Sequence, residues 1–477
     1  VCQCRAAVRE HVKSPRDFRR VRHLATVLVA LATASPGRIE AQPRRERPFL
    51  FGGGQASKKA PVQTDPWLPT GAMVQGSVER PPSGELPACS FRAPVCVHRG
   101  AGVTPAAALG ALEAIESAYF TLVDVLRLPP PLGDLGAGGS EALDLYLSAG
   151  QSRLRVGVDP LVGGRFDRAA AHCSVGDLGQ EAMQREASLC VGEAIALALD
   201  PAETPHLRRA YATHLWALRG TPTSADLEAV DEVQANPERA IATRELGGSS
   251  EGSALLFEYL DARRGVGAPG TIATHLMSIA VAKTEPRSLL WSNSPDVFDA
   301  IRSALDGSPR DTAMLFADLA VTRAFIGVRD DGEHLPALEW AGSFGRVRFD
   351  WSLRLSGLPR RVASLRPVEP TGAMYVWLDL DQSLGEQELG FQAEWESPVS
   401  FQWALVSVAG DGRELGRIYT PFVERGTKVE QTLSDLKDAR GLLIVGTNLG
   451  GVSLTHPFDP DYAPFEPHGC TVYLTKF

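Results

Sequence analysis

The period of the apolar residues changes along this chain, and that change limits what it can fold into. Between Thr104 and Leu126, Leu109, Leu112, Ile115, Tyr119, Leu122, Val123 and Leu126 recur at helical spacing. Thr104 is placed to cap that helix, Pro105 sits in its first turn, and Pro129-Pro-Pro131 bars continuation. From about Leu335 the pattern is different. Arg348-Phe-Asp-Trp-Ser-Leu-Arg-Leu355, Met374-Tyr-Val-Trp-Leu-Asp-Leu380 and Phe401-Gln-Trp-Ala-Leu-Val-Ser-Val408 largely alternate. Gly410-Asp-Gly412 supplies a hairpin turn into Leu415–Tyr419, and Gly441–Gly446 and Thr471–Thr475 read as buried strands. The fold class is therefore α+β: a mostly helical domain over 89–330, then an antiparallel β-sandwich over 335–477.

Within the first domain, Ala93–His98, Ala142–Leu147 and Arg153–Val158 read as strands. Helices are expected through Glu193, from His206 to Leu218, from Ser250 to Arg264, from Thr271 to Lys283, and once or twice between Pro295 and Ile326.

The N-terminus has the order of an export signal over 1–41. Arg16, Arg19, Arg20 and Arg22 precede the short apolar run Leu24–Leu31, and Ala32-Thr-Ala34 or Ile39-Glu-Ala41 fits a cleavage site. A cytoplasmic helix with a basic start is the alternative. Residues 42–88, rich in Pro, Gly and Arg, read as a flexible linker. No later run looks long enough to anchor the chain in a bilayer. An exported protein in the periplasm or outside the cell is the implied location.

Seven cysteines fit that location. Cys2 and Cys4 fall in the signal region. Cys89–Cys96 and Cys173–Cys190 are the expected disulfides, with Cys470 unpaired, unless all are buried thiols of a reducing compartment. No spacing is that of a zinc ribbon. The net charge of −9 gives no support to a nucleic-acid role.

The segment Cys190-Val-Gly-Glu-Ala-Ile-Ala-Leu-Ala-Leu-Asp200 carries the sharpest chemical signal. A His-Glu-x-x-His helix binds zinc because two imidazoles one turn apart share a face, with the glutamate beside the metal-bound water. Here the five positions are Gly192, Glu193, Ala194, Ile195 and Ala196. Downstream, Ser249-Ser-Glu-Gly-Ser-Ala-Leu-Leu-Phe-Glu-Tyr-Leu-Asp261 reads as a helix that carries Glu251 in its first turn. The order of these pieces, with a Val-His strand, a long helix, an Asp-Leu-Tyr-Leu strand, the motif helix and a C-terminal β domain, resembles secreted bacterial zinc metallopeptidases of gluzincin type over about 89–477.

That resemblance implies a zincin-like domain in which Glu193 matches the general base and Glu251 the third metal ligand. Gly192 and Ala196 match two lost histidines and cannot ligate. It therefore implies a pseudopeptidase: no cofactor, no hydrolysis, and a groove beside the motif helix that binds a peptide or protein partner. One alternative is an active metal-dependent hydrolase using Glu193 and Glu251, with zinc held by His206 or His214. The other is an envelope-structural or adhesion protein. On ordinary grounds Glu193 is a buried acid satisfied by an arginine or backbone donors, and Glu251 a first-turn acid favoured by the helix dipole. Trp351, Trp377 and Trp403 are binding candidates if exposed and core if not.

Overall fold

The computed structural model describes residues 72–74, 79–82 and 86–477, apart from 151, 161–164, 220–221, 244–245, 266–268, 283–289, 306–308, 336–344, 381–387, 424–425, 453, 455 and 461–464. The export signal and the linker up to residue 71 lie outside the described residues, as do Cys2 and Cys4.

Part of the expected linker is structured. Two short strands, β1 (Ala72–Val74) and β2 (Ala88–Cys89), fall inside it. β1 pairs antiparallel with Leu290–Ser292, and β2 with the strand that follows it. Strands this short give no periodic signal, and the partner of β1 is far away in sequence.

The strands β3 (Val95–Arg99), β4 (Leu143–Ser148), β5 (Arg155–Pro160) and β6 (Ala169–Gly176) complete a five-stranded sheet in the order β2-β3-β4-β6-β5. β3, β4 and β6 run parallel, and β2 and β5 are antiparallel edges. β6 is not evident in the sequence. Its Ala-Ala-Ala-His-Cys-Ser-Val-Gly run is buried almost throughout, so polarity does not alternate along it.

Between β3 and β4 lies α1 (Pro105–Tyr119), where Thr104 Oγ1 accepts from the Ala107 N–H at 3.1 Å and Pro105 opens the first turn. A π-helical turn, Phe120–Val125, extends it. By length and composition alone these 21 residues are apolar enough to cross a bilayer. In this fold Ala111, Ile115, Ala118 and Leu122 instead join the core beneath the sheet.

Helices follow: α2 (Gln180–Leu199), α3 (Pro205–Ala217), α4 (Ser224–Ala235), α5 (Ala254–Arg264) and α6 (Thr271–Ile279). The strand β7 (Leu290–Ser292) and the helices α7 (Val297–Ala304) and α8 (Pro309–Arg323) end this part. α4 was not expected, although Thr223 and Asp226 form a reciprocal capping box at its start. Val95, Val97, Leu143, Leu145, Leu147, Ala171, Cys173 and Val175 all turn one face of the sheet into the core that α1 and α2 cover. The disulfide Cys173–Cys190 ties β6 to α2 across that core, and Cys89–Cys96 ties β2 to β3. Cys470 is free and buried, and burial pushes its thiol up to about 12.

Among the described residues the C-terminal part has nine strands: β8 (Trp351–Arg354), β9 (Arg360–Ala363), β10 (Ala373–Asp379), β11 (Leu389–Trp395), β12 (Val399–Val408), β13 (Glu414–Tyr419), β14 (Lys428–Leu433), β15 (Gly441–Gly451) and β16 (Cys470–Lys476). They form two sheets, β13-β12-β15-β10-β8 and β14-β11-β16-β9. Met374, Trp403 and Ile444 of the first face Phe391, Val472 and Leu474 of the second across one core. The sandwich is not wholly antiparallel, because β8 runs parallel to β10. Trp403 is buried in this core and Trp351 half-buried against it, whereas Trp377 is half-buried on the opposite face of the sheet, stacked on Phe349.

The outer face of the first sheet packs on α8. Ala320, Val321, Ala324 and Phe325 meet Tyr375, Val406 and Val445, and the Tyr375 hydroxyl donates to the Ala320 carbonyl at 2.6 Å. The described residues within 65–477 accordingly form one compact unit.

Candidate functional site

α2 is buried along most of its length, from Arg185 through Ala198. Its central glutamate therefore enters the interior wherever it points, and needs a partner there. α3 supplies that partner. Thr204 caps α3 through the Leu207 N–H, and Pro205 opens its first turn. The helix then crosses α2 closely enough that a Cβ on Gly192 would stand 2.9 Å from both Cα and Cβ of Ala212. Glycine at 192 is thus a requirement of helix packing. Ala196, one turn on, is also fully buried. The groove expected beside these two positions is filled by α3.

One turn before Ala212 on α3, Arg209 reaches back across α2. Its Nε donates to Glu193 Oε1, its Nη1 to Glu251 Oε1 at 3.2 Å, and its Nη2 to the Leu154 carbonyl at 3.5 Å. A second guanidinium completes the arrangement. Arg185 donates to Glu251 Oε2 at 2.6 Å, to Asp226 Oδ1 at 2.8 Å and to Glu186 Oε1 at 3.1 Å. Glu186 also accepts from the Leu154 N–H at 3.0 Å, just ahead of the edge strand β5. The second oxygen of Asp226 accepts from the Thr223 N–H and hydroxyl and from the Trp216 indole.

Sequence reasoning named Glu193 and Glu251, and the structure brings them to one guanidinium. It missed Arg185, Arg209, Glu186 and Asp226. A weak signal existed: a motif helix with buried acids and no histidines calls for nearby cations, and Arg185, Arg208 and Arg209 are the candidates on α2 and α3. Glu251 is not in the first turn of a helix as expected. It sits in the turn that precedes α5, whose N-cap is Ser253.

Burial by itself would raise the Glu251 carboxyl, but the Arg185 and then the Arg209 guanidinium outweigh it, and the group is held below the usual carboxylate range. Asp226 is lowered in the same way, with burial opposed chiefly by Arg185. Burial lowers Arg209, yet the charge and hydrogen bond of Glu193 more than reverse this. The two guanidiniums and four carboxyl groups satisfy one another by hydrogen bonds.

The two histidines considered as replacement ligands are committed elsewhere. The His214 ring is hydrogen-bonded through Nδ1 to Glu258 at 2.7 Å and through Nε2 to Asp261 at 2.6 Å. Burial lowers its affinity for a proton, but the two carboxylates raise its pKa to about 9, so both nitrogens carry protons at neutral pH. An imidazolium cannot ligate a metal. The His206 ring lies within hydrogen-bond distance of the Ser253, Ser250 and Thr243 hydroxyls, at 2.9 Å each. Among the described residues, no group of three or more His, Cys, Asp or Glu is arranged to hold a metal ion. A cavity of about 40 Å³ beside Glu251, lined by Trp216, Val230, Gly252 and Leu255 among others, is far smaller than a peptide side-chain pocket.

No family model and no curated protein matches this chain. Among solved structures, the pre-peptidase C-terminal domain of a collagenase from Bacillus anthracis matches at 10% identity, covering 27% of this chain and 98% of that one, with a TM-score of 0.17. A likeness that slight carries no argument about this fold or its function.

Proposed function

We propose that this is an exported, catalytically silent protein built on a zincin-like, gluzincin-type scaffold, and that it works by binding a peptide or protein partner. The observation that carries the reading is the Arg209 guanidinium between Glu193 and Glu251. A fixed internal cation there neutralises both acids and leaves neither as a base for an attacking water. Further support comes from the mixed sheet with an antiparallel edge strand ahead of the motif helix, and from two disulfides of the kind oxidising compartments permit.

Because α3 fills the space beside Gly192, partner binding falls to another surface. Among the described residues β5 pairs only with β6, so its outer edge offers backbone groups for strand addition. The filled groove also favours a second reading, an envelope-structural scaffold with no soluble partner.

The test measures metal content after equilibration with zinc, together with hydrolysis and binding of fluorescein-labelled casein. The proposal expects no retained zinc, no cleavage and a saturable rise in anisotropy. Near-stoichiometric zinc that is lost in Glu251→Ala would overturn the silent-scaffold reading. Absence of binding would favour the structural one.

A further inference from the structure

The sheet face opposite the α1–α2 core is not apolar where it meets the 133–140 loop. Alternation places His98 of β3, Asp144 and Tyr146 of β4, His172 of β6 and Asp159 of β5 on that side. The His98 and Tyr146 rings stack with centroids 4.3 Å apart. His98 Nε2 is 2.9 Å from Asp144 Oδ1, and His172 Nδ1 is 3.0 Å from Asp159 Oδ2. The loop contributes Asp134, whose carboxylate is turned inward by the Gly136 and Gly138 N–H groups. Gly138 lies so close that a Cβ on it would overlap the Asp144 carboxylate.

One guanidinium occupies the centre. Arg80 Nη1 donates to Asp144 Oδ2 at 2.5 Å and reaches the Tyr146 hydroxyl at 3.3 Å. Its Nη2 donates to Asp134 Oδ2 at 2.5 Å and to Asp159 Oδ2 at 2.6 Å. The Asp134 and Asp144 side chains are 1% and 0% exposed, so these charges have little access to water. Three carboxylates from three separate stretches of chain thus converge on a planar fork. The Asp134 and Asp144 carboxylates are buried, and such charges demand a cation.

Among the described residues, the polar contacts of the 79–82 segment to the sheet come from the Arg80 side chain. Pro81 and Pro82 have no N–H to donate, and among the described residues no backbone hydrogen bond joins 79–82 to the sheet. The chain on either side is tethered, by β1 to β7 and by β2 to β3, so Arg80 is an intramolecular occupant that a free guanidinium of the same chemistry can exchange with when it is in excess.

We propose that this sheet face carries a guanidinium-binding pocket formed by Asp134, Asp144, Asp159 and Tyr146, and that Arg80 is its resident occupant, displaceable by the arginine side chain of a peptide. The two histidines act as positioning residues: each holds one carboxylate in line with the fork. The pocket prefers guanidinium to ammonium because a point charge cannot meet three carboxylates in one plane. It is separate from the Arg209 network, so it stands or falls independently of the silent-scaffold reading.

The test is chemical rescue in the full-length protein. Arg80→Ala should be less heat-stable than wild type, and millimolar methylguanidinium should restore its melting temperature. Equimolar methylammonium should bind about tenfold more weakly, the worth of one charge-assisted hydrogen bond. Asp144→Asn in the same background should abolish the rescue. If Arg80→Ala does not fold, 15N-arginine-labelled wild type decides. Its protected Arg80 Nη signals, assigned by their absence in Arg80→Lys, should fall on titration with unlabelled methylguanidinium and persist with methylammonium. A folded Arg80→Ala that methylguanidinium leaves unchanged relative to sodium chloride would overturn the proposal. So would rescue by zinc or calcium in preference to methylguanidinium, which would make the pocket a metal site.

Discussion

Arg209 and Glu193 form an ion pair between neighbouring helices, with both side chains 6% exposed. The guanidinium that satisfies Glu193 also reaches Glu251. On the proposed reading, the position that a base would need to keep open for water is thereby closed.

Removing the cation should cost more than the pair is worth. Arg209→Ala leaves Glu193 and one oxygen of Glu251 buried beside no charge, and is expected to lose about 3–5 kcal/mol of stability in urea titrations. Arg209→Met combined with Glu193→Leu should recover much of that loss, because an apolar pair needs no compensation. A loss in the double variant equal to the sum of the losses in Arg209→Met alone and Glu193→Leu alone would show that the pair is not coupled.

Restoring histidines should not restore a metal site. At Gly192 any Cβ meets the Ala212 backbone at 2.9 Å, so α2 and α3 must move apart. Gly192→Ala should cost about 1–3 kcal/mol by overpacking, and Gly192→His more. Zinc retention by Gly192→His/Ala196→His at wild-type melting temperature would contradict the packing described.

His214 sets a pH dependence. Its pKa rises from the ordinary 6.5 to about 9 in the folded protein, since Asp261 and Glu258 outweigh the opposing effect of burial. A raised pKa means that the contribution is fully present below about 6.5 and is lost as pH climbs through about 9. The shift corresponds to about 3 kcal/mol. His214→Gln should therefore be destabilised relative to wild type at mildly acidic pH, and the gap should narrow as pH passes 9. A gap that is independent of pH would mean that the ring is neutral when folded.

The two disulfides should differ in worth. Cys173–Cys190 closes a separation of 17 residues and Cys89–Cys96 one of 7. The loop-closure model assigns about 3 kcal/mol to the first and somewhat over 2 kcal/mol to the second. Paired Cys→Ser variants, compared by urea unfolding, should rank in that order. The reverse order would mean that the crosslinks act through the folded state.

Much of the fold could be read from short-range pattern. Thr104, Pro105 and the apolar stripe define α1 because cap and periodicity act over a few residues. The strands β10, β12 and β15 were legible as apolar or alternating runs. Leu389, Phe391, Ala393 and Trp395 alternate just as clearly, so β11 was visible too and was passed over. β6 was hidden, since burial on both faces erases alternation.

The sequence by itself determined the helical and β parts, the cysteines available for two crosslinks, and two acids, Glu193 and Glu251, on or beside helices with no histidine at positions 192 and 196. Tertiary structure alone decided what those acids do. Arg209 lies 16 residues from Glu193 and 42 from Glu251, and Arg80 lies 54 to 79 from its three aspartates. Secondary structure follows from neighbours within a turn or a strand pair, whereas the partner of a buried charge is chosen through space, by whichever cation the packed helices and loops bring within reach.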